Sequence, residues 1–94
     1  MLKDYIAFCL TGELVGEYSI YPFSHYFDIR KKTYWEAPLN YCGISVDQLP
    51  KLVEPCSIIG NVQLKIIKET ALPNNSFVNI GTLDHFAGMI GTGN

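Results

Sequence analysis

Charged side chains are scarce in this sequence of 94 residues, and it contains no long apolar run. Aspartate, glutamate, lysine and arginine make up 17% of the chain and leave a net charge of −2, whereas an average soluble domain carries about 25% charged residues. Such a composition lacks the basic face that nucleic-acid binding requires. The apolar stretch nearest the N-terminus is too short for a secretion signal or a membrane span. We therefore expect a cytoplasmic protein that binds neither nucleic acid nor membrane.

Cysteine and histidine, from which zinc sites are built, are few and widely spaced. Cys9, Cys42 and Cys56 are odd in number and include no Cys-x-x-Cys pair, so we expect reduced, mostly buried thiols rather than a disulfide framework. His25 and His85 are far apart in the chain, and their separation is unlike that of zinc ligands. The sequence thus predicts no metal site.

Apolar residues are in excess, at 48% of a chain that is long enough for one domain at most. So few charges on so short a chain predict that some apolar surface has no partner within these residues. An apolar face of that kind favours self-association, most simply as a homodimer. The one basic cluster, residues 30–32, is predicted to be a solvated turn.

Two helical patterns stand out in the first half of the chain. Four apolar residues are predicted to share one face of a first helix: Leu2, Ile6, Cys9 and Leu10. Gly12 lies where that helix would stop. A second helix is predicted within residues 34–43, since Pro38 fits a first turn and Gly43 fits a stop.

Shorter elements are predicted between and after these helices. Residues 25–29 could form a short strand, and residues 56–62 and 76–81 have the composition of strands. Ser45 and Gln48 have the capping-box spacing of one short helical turn.

The segment 63–73 allows two interpretations. As a helix, it would place three apolar residues on one face: Leu64, Ile67 and Ala71. The charged residues would then share the outer side: Lys65, Lys68 and Glu69. As a continued strand, it would show alternating apolar residues: Val62, Leu64 and Ile66. We favour the helix because of the charged outer side.

Asp84 follows the last predicted strand and precedes a glycine-spaced segment that is predicted to be helical. At the N-cap of that helix, its carboxylate would face free backbone N–H groups and the positive end of the helix dipole. Taken alone, this pattern is explained by a capping role. Helices mixed with short strands indicate an α/β fold.

Short motifs then follow one another in a recognisable order. They are Asp4-Tyr5, Leu10-Thr11-Gly12-Glu13, Tyr18-Ser19, Phe27-Asp28-Ile29, Trp35, Gly43-Ile44, Leu49 to Val53, Ile59-Gly60-Asn61-Val62, Leu72-Pro73, Gly81, Asp84 and Gly91-Thr92-Gly93. None is specific alone, but in this order, from Lys3 to Asn94, the chain resembles the FGGY family of carbohydrate kinases. The resemblance covers the later part of that family's N-terminal domain.

The resemblance implies a partial RNase H-like domain of the actin-like ATPase superfamily, with residues 1–94 as a fragment of the kinase N-terminal domain. It also implies a role for Asp84 as the general base that takes the proton from the sugar hydroxyl attacking the γ-phosphate. A carboxylate within hydrogen-bond distance suits that chemistry, because a hydroxyl is a weak nucleophile. His85, directly after the base, is a candidate contact to the sugar.

Three positions depart from the family's pattern. Leu83 stands where many members have glycine before the aspartate, which predicts a differently shaped sugar pocket. Ile20 and Tyr21 occupy positions that are polar in the common form of the Tyr-Ser segment. The identity of the sugar or polyol therefore stays open.

The Asp-x-Gly-Thr phosphate-binding hairpin with which the family begins is absent from these residues, and so is the adenosine-binding domain. The resemblance therefore implies ATP and Mg²⁺ for a parent kinase of several hundred residues, and no cofactor or metal for this fragment, which is expected to be inactive in isolation. The alternative is a free-standing module that binds a partner protein through its apolar face and has no catalytic activity.

Overall fold

The computed structural model describes residues 1–93. Four α-helices are present in that range: α1 (Leu2–Thr11), α2 (Glu36–Tyr41), α3 (Leu64–Thr70) and α4 (Asp84–Gly91). The six strands are short: β1 (Val15–Glu17), β2 (Phe27–Asp28), β3 (Thr33–Tyr34), β4 (Lys51–Val53), β5 (Ile58–Asn61) and β6 (Phe77–Asn79). Two 3₁₀ turns, Tyr21–Ser24 and Val46–Gln48, complete the elements.

The strands pair two by two. β1 and β4 are parallel, with Gly16 opposite Leu52, whereas β2 and β3 form an antiparallel hairpin around the basic turn. β5 and β6 are antiparallel, with an irregular register between Ile58 and Gly60. The fold is thus the expected mixture of helices and strands, but the strands of residues 1–93 form separate pairs.

Most of the predicted elements form where the sequence places them. α1 ends at Gly12, which adopts a left-handed conformation with φ of 81°, and α2 has Pro38 in its first turn. Ser45 and Gln48 form the predicted capping box. α3 occupies most of segment 63–73, which confirms the helical interpretation of that segment.

The apolar face predicted for α1 forms, but it is not buried within residues 1–93. The residues of α1 that are buried are Asp4 and Ala7, whereas Leu2 is 77% exposed and Ile6 51% exposed. The helix therefore turns its smaller and more polar side to the rest of the chain. Its apolar side has no cover within residues 1–93.

The core is small and includes two acidic side chains. Eight apolar residues are buried: Ala7, Val15, Tyr21, Phe27, Leu39, Val62, Ile67 and Ile80. Tyr21 lies at the centre, with the rings of Tyr34 and Tyr26 edge-on to its own at 5.8 and 6.4 Å. Asp4 and Glu17 are buried beside it.

The cysteine prediction is half right. Cys9, Cys42 and Cys56 are free thiols, as expected, but all three are exposed rather than buried. Cys9 is exposed because it lies on α1, outside that helix's buried side.

The described chain is a flat plate of 45 × 36 × 17 Å. Its radius of gyration is 15.2 Å, whereas a compact domain of this length has about 12 Å. A plate this thin cannot cover apolar side chains on both faces, and nineteen large apolar residues are accordingly exposed. The apolar excess of the sequence therefore becomes exposed apolar surface, as predicted.

Candidate functional site

Asp84 is the first residue of α4, and its side chain is 84% exposed. The prediction that Asp84 caps the helix is wrong by one position, because Leu83 is the N-cap residue. Strand β6 ends at Asn79 and is itself largely exposed, so Asp84 belongs to a helix start rather than to the tip of a buried strand. The carboxylate nevertheless lies in the first turn, where the helix dipole favours negative charge.

His85 is the immediate partner of Asp84. The Nδ1 atom of His85 lies 2.9 Å from Oδ1 of Asp84, and the backbone N–H of His85 donates to the same oxygen at 2.8 Å. The His85 side chain is 82% exposed. The two residues predicted for the site therefore stand together on an open surface, from which both can reach an approaching ligand.

A glycine turn leads from β6 to this pair. Gly81 has φ of 71°, in the left-handed region that favours glycine. Its N–H donates to the Asn79 side chain at 2.8 Å, and its carbonyl accepts the Cys56 N–H at 2.7 Å. The chain that leads to Asp84 is thus held at both the N–H and the carbonyl of Gly81.

A second fixation comes from Ser19, at the other end of the sequence. The backbone N–H of Leu83 donates to Oγ of Ser19 at 2.8 Å, and Oγ1 of Thr82 lies 3.0 Å from the same atom. The Ser19 hydroxyl in turn donates to Oε1 of Glu17 at 2.8 Å. The two residues that precede Asp84 are thus bonded to one hydroxyl oxygen.

Both buried carboxylates behind Ser19 are paired. The ammonium of Lys3 lies 3.0 Å from Asp4 and 3.2 Å from Glu17, and the Tyr21 hydroxyl donates to Asp4 at 3.0 Å. Burial and the charge of Asp4 raise the pKa of Tyr21, so its hydroxyl stays a donor. Among residues 1–93, no buried polar side-chain atom lacks a hydrogen-bond partner.

Of the two positions that depart from the family's polar pattern, Tyr21 is a core residue bonded to Asp4, and Ile20 is half-buried. Leu83 has φ of −55°, which any L-residue adopts, so the backbone at that position does not require glycine.

An aromatic cleft of about 390 Å³ lies beside α4. Its lining comes from the Tyr-Ser segment, the β2 region and α4: Tyr18, Ser19, Pro22, Phe23, Phe27, Ile29, Lys32 and Phe86. A larger cleft of about 550 Å³ lies between residues 32–36 and 46–52. Asp84 and His85 line neither of these two clefts, so neither cleft forms a pocket around the candidate base.

Metal ligands are not assembled in the part of the chain that the structure describes, where no group of three or more His, Cys, Asp or Glu side chains could hold an ion. Within the same residues, no helix is long and apolar enough to cross a membrane. The basic residues 30–32 are exposed in a turn, as predicted.

The polar cluster of Lys3, Asp4, Glu17, Ser19 and Thr82 was not predicted from the sequence as a unit. Asp4 and Glu17 are two of only nine acidic residues, and each lies in an apolar stretch. That is the one local signal that could have marked them as buried. The bonds that link Ser19 of this cluster to Thr82 and Leu83, some 60 residues later, are a property of the fold.

Comparisons with known proteins agree with this geometry. A family model described as the N-terminal domain of the FGGY family of carbohydrate kinases matches residues 1–91. A rhamnulokinase from Lactiplantibacillus plantarum is 30% identical over 92 residues, and a xylulose kinase from Bacillus subtilis is 33% identical over 91. The alignments cover 98% and 97% of this chain but only 19% and 18% of those proteins.

Solved structures give the same result at the level of the fold. A ligand-bound xylulose kinase and a gluconate kinase, both from Lactobacillus acidophilus, superpose with TM-scores of 0.89 and 0.90 at 25% identity. Each superposition covers 98% of this chain and 19% of the kinase. The predicted fold class is thus confirmed as that of the matching part of the actin-like N-terminal domain. Because the family model matches residues 1–91 of its 94 residues, the chain belongs to the FGGY family of carbohydrate kinases.

Proposed function

We propose that this chain is a part of an ATP-dependent kinase that transfers the γ-phosphate of ATP to a hydroxyl of a small sugar or polyol. The observation that carries this proposal is the family match over residues 1–91. The names of the relatives, xylulose kinase and rhamnulokinase, support a carbohydrate as the acceptor. Because the chain spans about a fifth of their length, the activity belongs to the longer protein.

In that kinase, Asp84 serves as the general base. Its side chain is 84% exposed and lies at the start of α4. The chain before that helix is held by the hydrogen bonds of Gly81 and Leu83. A sugar hydroxyl can therefore approach the exposed carboxylate directly. As the hydroxyl oxygen bonds to the γ-phosphorus and the bond to the β-phosphate oxygen breaks, the hydroxyl proton passes to the Asp84 carboxylate.

His85 is the second residue assigned to the sugar. Nδ1 of its ring lies 2.9 Å from Oδ1 of Asp84. The ring is therefore close enough to hydrogen-bond a neighbouring hydroxyl of the same substrate. Replacement of His85 by Ala is expected to raise KM for the sugar several-fold with a smaller effect on kcat, because a ground-state contact is lost. An unchanged KM would remove His85 from the site.

ATP and Mg²⁺ are held by segments outside this chain. The metal neutralises the charge that develops on the phosphates. Because the chain spans about a fifth of the length of its relatives, we take residues 1–94 as a fragment of the N-terminal domain, and we expect the rest of that domain to cover the exposed side of α1. A reading frame that continues on both sides, with Asp-x-Gly-Thr upstream, tests this assignment. Genuine start and stop codons at these ends would favour a free-standing module instead.

The proposed activity is tested by incubating the full-length protein with ATP, Mg²⁺ and a panel of ketoses, aldonates and polyols. Mass spectrometry should detect one phosphorylated acceptor and an equal amount of ADP. The isolated 94 residues are the matched control, and in calorimetry at millimolar ATP they should give no saturable heat. No phosphorylated product with any member of the panel would contradict the proposal, and a clear ATP isotherm for the isolated chain would contradict the fragment assignment.

A further inference from the structure

We propose that Ser19 is a positioning residue for Asp84, acting through the backbone of Leu83 and the side chain of Thr82. This inference rests on the proposed role of Asp84 as the base. It extends that role to a residue whose hydroxyl bonds to the two residues before Asp84, and that lies more than 60 positions earlier in the chain.

The hydrogen-bonding capacity of the Ser19 hydroxyl is fully used. A serine hydroxyl has one proton to donate and two lone pairs to accept with. The proton goes to Glu17 at 2.8 Å, so the two lone pairs are left for the Leu83 N–H at 2.8 Å and for the Thr82 hydroxyl at 3.0 Å. The donor between Ser19 and Thr82 is therefore Thr82. Removal of this one oxygen takes a hydrogen bond from each of three groups: the Glu17 carboxylate, the Thr82 hydroxyl and the Leu83 N–H.

Glu17 makes this hydroxyl a rigid anchor. The side chain of Glu17 has no exposed surface. It also accepts a hydrogen bond from the backbone N–H of Ser19 at 2.6 Å and forms an ion pair with Lys3 at 3.2 Å. A bond to a buried carboxylate is charge-assisted, and it polarises the hydroxyl so that Ser19 accepts more strongly. β1 holds the backbone of Glu17 against Val53 of β4. The anchor is thus part of the core.

Asp84 needs such an anchor because its side chain is not held by packing. The side chains at the start of α4 are exposed, so packing does not set the position of the carboxylate. Leu83 is the N-cap residue, where the chain turns from extended to helical, and the next residue carries the base. A displacement of about 1 Å between base and nucleophile can cost about 100-fold in rate. The Leu83–Ser19 bond therefore has a direct effect on the geometry of proton transfer.

Three variants test the inference. Ser19→Ala removes the hydroxyl, Ser19→Thr keeps it, and Ser24→Ala is the matched control. Ser24 lies in the same segment, and its hydroxyl also makes local hydrogen bonds, to the Tyr21 carbonyl and from the Tyr26 N–H, neither of which involves residues 82–84.

The first readout is hydrogen exchange of the Leu83 amide, followed by NMR in the 94-residue chain. Ser19→Ala should speed this exchange about tenfold, the equivalent of one lost hydrogen bond, while Ser24→Ala and Ser19→Thr leave it near the parent rate. This measurement does not depend on any catalytic activity. An unchanged Leu83 amide in Ser19→Ala would overturn the inference.

The second readout is steady-state kinetics in the full-length kinase. Ser19→Ala should lower kcat by about 10- to 100-fold with KM for ATP unchanged, and Ser19→Thr should restore most of the loss. A kcat for Ser19→Ala equal to that of Ser24→Ala, in a protein that loses activity on Asp84→Asn, would reject the role of Ser19 and leave the base assignment standing. Normal activity of Asp84→Asn would instead remove the base, and the positioning role with it.

Discussion

At the scale of single residues, the tightest constraint on the chain is the contact between Gly16 and Tyr21. Gly16 is buried in β1, and a Cβ built on it would lie 2.8 Å from Cζ and 2.9 Å from Oη of Tyr21. The ring cannot retreat, because it is 1% exposed and its hydroxyl is bonded to Asp4. The absence of a side chain at position 16 is thus what admits Tyr21 to the core.

Gly16→Ala should therefore lower the free energy of unfolding by about 1–3 kcal/mol, the usual effect of overpacking a core. Gly88→Ala is the control, since a Cβ there meets nothing within 4 Å and alanine raises helix propensity by about 1 kcal/mol. Urea denaturation of both variants should give shifts of opposite sign. A Gly16→Ala protein as stable as the parent would show that the ring moves freely.

Only part of the candidate site could be proposed from the sequence. Asp84 and His85 could be named from motif order, because the resemblance is carried by residues next to each other in sequence. The role of Ser19 could not, because Ser19 meets residues 82–83 only through the fold.

At the scale of elements, the β2–β3 turn depends on one carboxylate. Oδ1 of Asp28 accepts the N–H groups of Arg30 at 2.9 Å and Lys31 at 3.0 Å. The hydrogen bond from Lys31, helped by that from Arg30 and by their positive side chains, lowers the pKa of Asp28 below its ordinary value. A carboxyl whose pKa is lowered on folding stabilises the folded state when it is ionised.

Asp28→Asn should accordingly be less stable than the parent at neutral pH. The difference is fully present above the ordinary pKa of about 3.9 and should disappear as the pH falls through the lower value of the folded state. Chemical denaturation of both proteins at pH 7, 5 and 3 measures this difference. An equal difference at pH 7 and pH 3 would mean that the ionised form of Asp28 has no part in the turn.

Local patterns located the helices well and the sheets poorly. Gly12, Pro38 and the capping box of Ser45 are signals within a few residues of the element they bound, so they were sufficient. β1 and β4 pair across more than 30 residues, and no local pattern indicates such a partner. The apolar face of α1 was located correctly, but periodicity does not indicate what covers such a face, and within residues 1–93 it is exposed.

At the scale of the whole molecule, uncovered apolar surface is the dominant feature. Leu2 and Tyr5 on α1 are 77% and 64% exposed, and the plate is only 17 Å thick. In the proposed kinase, the remaining chain covers this side. In the isolated chain, a second copy is the simplest cover.

The 94-residue chain should therefore self-associate, and light scattering over a concentration series should show a dimer replacing the monomer. The double variant Leu2→Ser, Tyr5→Ser should weaken association more than tenfold, because each buried apolar side chain contributes about 1.5–3 kcal/mol. Lys65→Ser, on the charged side of α3, serves as control. A strictly monomeric parent at millimolar concentration would contradict this expectation.

The most direct test of the account is kcat of Asp84→Asn in the full-length kinase with its own best sugar. Asparagine keeps the size of the side chain and can remain at the helix start, so the fold should hold within roughly 1 kcal/mol. It cannot take up the hydroxyl proton, so kcat should fall by about 10²- to 10⁴-fold, with a smaller change in KM for the sugar. A kcat within about threefold of the parent, with unchanged melting, would contradict the assignment of Asp84 as the base.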